Sequence, residues 1–305
     1  MISVVIPVKN GGADLVRCLE AIARQRTDEE VEVVVVDSGS QDGSAARAES
    51  FGARVHSISP SEFHHGRTRN VGAELARGAI LVFTSQDAHA AGELWLAGLT
   101  SPLRSDETVA GVYGRQLPNE NATPPERFFL DFLYGPEPRV QQLAYEEDLS
   151  FEATLFSNVN SAVPRRVWEE HRFADDIIMS EDQEWSRRML LAGMTIVYVP
   201  KAAVYHSHSY SVADAFRRFF DSGVSAERSY VSDGRTSRAA LRKAGSRYAK
   251  AEIAWLWRTG QRRWIPYAAV YEFSKFGGLQ LGRRHRRLPA GLSSRLSSYP
   301  EYWGR

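Results

Sequence analysis

Apolar residues arrive in short runs, and stretches of helical period lie between them. Residues 2–8 and 31–36 are continuous and β-branched. Val33-Val34-Val35-Val36 leaves no polar alternation, which predicts a strand covered on both faces. Between these runs Leu15, Leu19 and Ile22 recur at helical spacing. Residues 45–51 predict a second helix, 54–56 a third strand, 67–77 a third helix and 79–84 a fourth strand. This alternation predicts a parallel sheet with helices on both faces, its strand ends gathered at one edge by right-handed crossovers. From about 110 to 150, Pro118, Pro124, Pro125, Pro136 and Pro138 loosen the pattern. That stretch predicts a loop-rich insertion with one short helix around 126–134. Residues 164–170 and 181–193 predict helices, 195–199 a strand, and everything from 211 onward helix, with Phe216, Phe219 and Phe220 on one face.

Composition adds limits. The 43% hydrophobic and 25% charged content is that of an ordinary globular chain. Cys18 is the only cysteine, which excludes an internal disulfide and a cysteine-built zinc site. The first seven residues read as a strand rather than a signal peptide. No uncharged apolar stretch approaches the roughly 18–20 residues that span a bilayer. A cytoplasmic location is expected. The net charge of +1 hides an asymmetry: residues 211–305 hold 19 Lys and Arg against 7 Asp and Glu, whereas residues 1–210 hold 19 against 30. The basic part carries Trp255, Trp257, Trp264, Tyr267 and Tyr271 among its arginines. It reads either as a dock on an anionic membrane or as a solvated helical face over an aromatic core stripe. The acidic first part and the absence of a reader motif argue against nucleic acid.

Candidate chemistry clusters after the strands. Asp37-Ser38-Gly39-Ser40 follows the second one. An acid there can accept from a nucleotide base or ribose, or the turn merely caps the next helix. Neither G-x-G-x-x-G nor a P-loop is present. Asp87 ends the fourth apolar run at the edge where open α/β sheets bind ligands, well placed to hold a divalent cation against a diphosphate. His65, Arg67, Arg69 and Asn70 form a polar cluster before a helix, either a phosphate clamp or a solvated turn. Trp168 and Trp185 read equally as sugar platforms or as core.

Several stretches together resemble the family 2 glycosyltransferases of the GT-A fold. They are Ile6-Pro7-Val8-Lys9-Asn10, the valine strand ending in Asp37-Ser38-Gly39-Ser40, and the pair Glu181-Asp182. Phe63 to Asn70, Thr84-Ser85-Gln86-Asp87-Ala88, Tyr113 to Pro118, Met179 to Trp185, Ser274 to Gly278 and Tyr302-Trp303 resemble, more narrowly, bacterial rhamnosyltransferases that use dTDP-L-rhamnose. The likeness covers nearly the whole chain. It implies a mostly parallel, mixed sheet flanked by helices. Residues 1–210 would be the catalytic domain, with a nucleotide-binding half of about 1–110 and an acceptor-binding half of about 111–210. Residues 211–305 would be a basic, aromatic-rich helical extension.

The resemblance also implies roles. Asp182 is expected to be the catalytic base, kept ionised by the helix end. Pro7, Lys9, Asn10, Asp37, Ser38, His65, Arg67, Asn70, Gln86, Asp87 and Arg115 are expected around the nucleotide sugar, Gln86 through its amide, and Gln116 with Arg115 over the donor. Glu181, Trp168 and Trp185 are expected at the acceptor. Asp87 and His206 are expected to hold Mg2+ or Mn2+, with His208 as a further ligand source. The reaction implied is inverting transfer of L-rhamnose to a glycan, lipid-linked if the basic region docks on the cytoplasmic face of a membrane. A UDP-hexose donor and a non-catalytic sugar-nucleotide scaffold are the other readings.

Overall fold

The computed structural model describes residues 1–230 and 238–304. Its first part alternates as the periodicity predicts: β1 (Ile2–Val8), α1 (Gly12–Ala23), β2 (Val31–Asp37), α2 (Ser44–Ser50), β3 (Arg54–Ser57), α3 (His65–Leu75) and β4 (Ile80–Thr84). The unbroken apolar runs of β1 and β2 suit strands covered twice. Val4 and Ile6 share one core with Leu15, Cys18 and Leu19 of α1, while Val5 and Val34 belong to the core on the opposite face.

Beyond β4 come β5 (His89–Ala90), α4 (Trp95–Ser105), β6 (Val109–Leu117), α5 (Pro124–Leu133), β7 (Arg139–Gln141), β8 (Asn160–Pro164), α6 (Arg165–Glu170), α7 (Glu181–Leu191) and β9 (Thr195–Tyr205). Here expectation and structure part. β6 occupies the start of the stretch read as loop, and β8 was not foreseen. Gly111 and Gly114 disguise β6 by interrupting its apolar run. Both are packing requirements. A Cβ on Gly111 would stand 3.0 Å from the rings of Phe156 and Trp185, and one on Gly114 would stand 1.9 Å from the Ala202 carbonyl oxygen.

Among the described residues the sheet order is β3-β2-β1-β4-β8-β6-β9-β5, with β7 also on β9. β8 runs antiparallel to both β4 and β6, while β6 and β9 are parallel. The sheet is therefore mixed and mostly parallel, as expected. The topology has one consequence for chemistry. The carboxyl ends of β1, β2, β4, β6 and β9 and the amino end of β8 all open on the same edge.

The last part is helical where described: α8 (Val212–Ser229), α9 (Arg238–Arg258), α10 (Ile265–Gly282) and α11 (Ala290–Leu296). Residues 231–237 of the expected helical run lie outside the described residues. α10 lies directly on α8 because Gly278 and Gly282 leave room. A Cβ on Gly282 would meet the Phe220 carbonyl oxygen at 1.9 Å. Lys275 of α10 is buried, bonded to Glu272 at 2.7 Å, with its ammonium 4.6 Å from the ring centre of Phe129 and 4.9 Å from that of Phe219. This aromatic cage ties α10 to α5 and α8. The tryptophans and tyrosines read as one membrane-facing set are divided. Trp255 packs on Phe128, and Trp264, Tyr267 and Tyr271 pack in series and are half-buried. Trp257 alone of the five is exposed.

Candidate active site

β4 and β9 deliver the first group of side chains. Asp87 follows β4, and His206 and His208 follow β9 on an extended segment that turns both imidazoles to one side. His206 Nε2 stands 3.7 Å and His208 Nε2 3.4 Å from the Asp87 carboxylate. One ligand atom from each residue lies within 4.8 Å of the others. Burial pushes the His206 imidazole down to about 4, so it is neutral at physiological pH and keeps a lone pair free. Its Nδ1 is hydrogen-bonded to Gln116 Oε1 at 2.9 Å, which leaves Nε2 facing Asp87. A carboxylate and two imidazoles, one held by an outer partner, fit a divalent cation.

The second group sits at the start of α7. Asp182 is half-buried and has no cationic partner within ion-pair distance among the described residues. Its Oδ2 accepts from the Asn158 backbone N–H at 3.1 Å and its Oδ1 from the Gln183 N–H at 2.8 Å. Burial first, and the neighbouring Glu181 anion second, push its carboxyl up to about 7. This overturns the expectation that the helix end keeps it readily ionised: desolvation and like charge outweigh the helix dipole.

Glu181 itself is buried rather than open to an acceptor. Burial pushes it up, but Arg69, 3.1 Å away, leads the groups that outweigh burial and hold it below the usual carboxylate value. The Asn158 side-chain amide also donates to Glu181, at 3.3 Å.

The two groups are joined. Gln116 Nε2 donates to Ser157 Oγ at 3.0 Å, and Ser157 precedes the asparagine that holds Asp182. Gln116 thus connects the Asp87/His206/His208 cluster to the loop under the carboxylate. Ser180, just before α7, has φ 63°, and Asn10, just after β1, has φ 51°. Non-glycine residues rarely adopt this region, and both examples border the same edge.

The β1 and β2 ends form the third side. Asp37 is buried: Oδ2 accepts from the Ser40 N–H at 3.1 Å, while Oδ1 has no partner among the described residues. An orphaned buried carboxylate oxygen at a strand end is suited to a donor from outside the chain. Ser38, by contrast, is committed: its hydroxyl donates to the Val8 carbonyl at 2.9 Å. Asn10 Oδ1 accepts from the Gln41 N–H. Gln86 is also committed, correcting its expected role. Its Oε1 accepts from the Lys9 N–H at 2.8 Å and its Nε2 donates to the Lys9 carbonyl at 3.1 Å. It fixes the loop after β1, leaving the Lys9 side chain exposed beyond Pro7.

Other expected residues lie elsewhere. Trp168 and Trp185 are 2% and 0% exposed, and their indole N–H groups bond Asn70 Oδ1 and the His171 carbonyl. They are core residues, with no face to offer a sugar. Asn70 is consumed by the same packing, since it also bonds the Phe173 backbone. Arg67 is exposed beside Asp175. Arg115 pairs with Asp131 at 3.0 Å, whereas the next residue, Gln116, bonds Ser157 and His206. His65 is half-buried and bonded to the Tyr299 hydroxyl at 2.8 Å; desolvation pushes its imidazole down to about 4.

Residues outside the expected set complete the site. Asn158 holds both α7 acids; the polar residues Ser157, Asn158, Asn160 and Ser161 around Val159 were its available signal. Arg218 of α8 lies beside the Tyr299 hydroxyl and stands 5.5 Å from the Tyr210 ring centre. Its charge reaches both Asp182 and His206, and among the described residues no carboxylate pairs with it. Nothing in the sequence distinguished it from neighbouring Arg217.

A family model described as Glycosyl transferase family 2 matches residues 3–171. The chain is 32% identical to the O-antigen chain rhamnosyltransferase RfbN of Salmonella typhimurium, over 99% of this chain and 96% of that protein. It is 31% identical to the O-antigen chain rhamnosyltransferase WbaN of Salmonella anatum, over 99% and 95%. Among solved structures, the mannosyltransferase PcManGT from Pyrobaculum calidifontis, in complex with GDP-Man and Mn2+, superposes with a TM-score of 0.60 at 19% identity, covering 92% of this chain and 86% of that one. S. aureus TarS in complex with UDP-GlcNAc gives 0.53 at 16% identity, covering 94% and 91%. At those identities the two solved structures speak to the fold.

Proposed function

Because the chain belongs to glycosyltransferase family 2, we propose that it moves L-rhamnose from dTDP-β-L-rhamnose to a hydroxyl of a growing cell-surface glycan, with inversion at the anomeric carbon. Two relatives that span nearly the whole chain are O-antigen rhamnosyltransferases, which supports the sugar and the product class. The observation that carries the chemistry is the link through Gln116 and Ser157 between the Asp87/His206/His208 cluster and the loop that holds Asp182. It supports reading Asp182 as a proton acceptor and the cluster as a cation site at one sheet edge.

In this reading residues 1–110 hold the donor and 111–210 the acceptor. Asp37 meets the base or ribose through its partnerless Oδ1. Pro7, Lys9 and Asn10 border the nucleotide, and Lys9 and Arg218 bring positive charge to the diphosphate. Asp87, His206 and His208 would hold Mg2+ or Mn2+, which when bound would supply charge to stabilise departing dTDP. The acceptor oxygen bonds the anomeric carbon as the bond from that carbon to the diphosphate oxygen breaks. The acceptor proton passes to Asp182. A carboxyl pushed up to about 7 is basic enough to receive it near neutrality. Glu181, fixed as an anion by Arg69, maintains that basicity. The rhamnose arrives as the α-anomer. The acceptor is lipid-linked in this proposal and is met at the cytoplasmic face of a membrane.

A donor panel tests the reading. With Mg2+ or Mn2+ present, dTDP-rhamnose should raise the unfolding temperature and release dTDP in the presence of acceptor. A response to UDP-hexoses with none to dTDP-rhamnose would overturn the donor assignment.

A further inference from the structure

No helix among the described residues is long and apolar enough to cross a membrane. One helix nevertheless turns its apolar side outward. On α10, Pro266, Ala269, Val270, Phe273 and Phe276 are all exposed. At 100° per residue they form one stripe along the helix. Val270 is 57% exposed and Phe273 78%. The opposite side of the same helix carries the buried Ala268, Lys275, Gly278 and Gly282 against the rest of the protein. The usual arrangement is reversed: the lysine is inside and the phenylalanines are outside.

Charge says what the stripe faces. Arg258, Arg262 and Arg263 are exposed before α10, and Arg284, Arg286 and Arg287 are exposed at or after its end. None of the six has an ion-pair partner among the described residues. Residues 251–305 contain three acids. Glu252 is buried, Glu272 is bonded to Lys275, and Glu301 alone is exposed. The Arg262 guanidinium lies 3.9 Å from the ring centre of Trp257, itself 55% exposed. An aromatic with a stacked arginine thus stands at one end of the stripe. The 18-residue helix is about 27 Å long.

We propose that α10 lies in the plane of an anionic phospholipid surface. Val270, Phe273 and Phe276 enter the acyl boundary, and the arginines at both ends meet lipid phosphates. An apolar stripe alone would suit a second copy of the chain equally. The two arginine groups favour the lipid, because in a symmetric self-contact they would face one another with no acid between them. The proposal relies on the lipid-linked acceptor only to explain why a membrane is visited. Its test does not use the acceptor.

Co-sedimentation of the full chain with phosphatidylcholine vesicles, with and without phosphatidylglycerol, is the experiment. Binding should require phosphatidylglycerol and weaken with salt. The variant V270S/F273S/F276S should lose binding by about tenfold or more for each phenylalanine. R262Q/R263Q should bind more weakly and lose part of the salt dependence. These positions are exposed and outside the active site, so donor affinity should be unchanged, which separates this proposal from the donor assignment. Absence of wild-type binding, or equal binding by the triple-serine variant, would overturn the proposal. So would a wild-type dimer that dissociates in the triple-serine variant while vesicle binding persists.

Discussion

The backbone N–H of Asn158 donates to Asp182 Oδ2 across 3.1 Å, so the loop entering β8 sets where the carboxylate stands. That contact favours the charged form. Burial and Glu181 oppose it more strongly and push the carboxyl up to about 7.

Transfer should therefore climb as pH rises through about 7, since Asp182, the proposed base, must be deprotonated to accept a proton. Asp182→Asn should lower turnover by roughly 10²–10⁴ while leaving donor affinity intact. Stability should move the other way. The unfolded chain releases this proton near the ordinary value of 3.8, whereas the folded chain keeps it until about 7. Between those values the folded state binds more protons, so stability falls as pH rises. Asp182→Asn removes that loss. Thermal unfolding at pH 8 should show the variant at or above the wild type. A variant that is inactive and clearly less stable would point to a structural role instead.

Gln116 fixes the tautomer of His206 and touches neither cation nor substrate in the proposed reading. Gln116→Leu should weaken Mn2+ binding by about 10–100-fold through loss of that orientation. Calorimetric titration checks it, and affinity equal to wild type would remove the positioning role. Its link to Ser157 adds a second readout: the pH midpoint of turnover should shift in the variant, which mere loosening of the fold would not do.

Arg69 and Glu181 are an almost fully buried pair at 3.1 Å. Arg69→Met should cost about 3–5 kcal/mol, because it strands a buried anion. Adding Glu181→Met should recover much of that loss, since two apolar side chains replace a desolvated pair. Chemical denaturation of the two variants measures both steps. A single variant as stable as the wild type would show that the pair is not needed to hold the start of α7.

Legibility from sequence followed the physics of each segment. β1, β2 and β4 announced themselves because strands buried on both faces need unbroken β-branched runs. β6 did not, because two of its positions are glycines demanded by Trp185, Phe156 and Ala202, contacts made across the chain. The same division holds within the site. Asp87 lies at the end of a periodic strand, where position alone implied placement, whereas Asp182 and His206 were picked out by the family resemblance. Asn70, Trp168 and Arg115 had suitable chemistry but point elsewhere. Which way a side chain leaves a helix or strand depends on the neighbouring layer, and no local pattern carries it. Arg218 lay beyond reach for the same reason: only the packing of α8 over the edge distinguishes it from Arg217.

Gln86 and Asp87 are adjacent yet do different things, and two substitutions separate them. Gln86 holds Lys9 by its backbone N–H and carbonyl, a two-pronged contact that fixes the amide against the loop after β1. Gln86→Ala should therefore cost about 1–3 kcal/mol of stability and raise the donor KM by loosening the loop after β1, without changing which donor is preferred. Asp87 faces His206 and His208 and supplies the only carboxylate of that cluster. Asp87→Ala should leave the loop intact but abolish the dependence of turnover on Mn2+ concentration, because two imidazoles alone hold such a cation weakly. Steady-state kinetics across a metal titration, run with both variants and a donor panel, distinguishes the roles. A switch in donor preference in Gln86→Ala would return the amide to the sugar site. Unaltered metal dependence in Asp87→Ala would mean that the cluster is not where the cation binds.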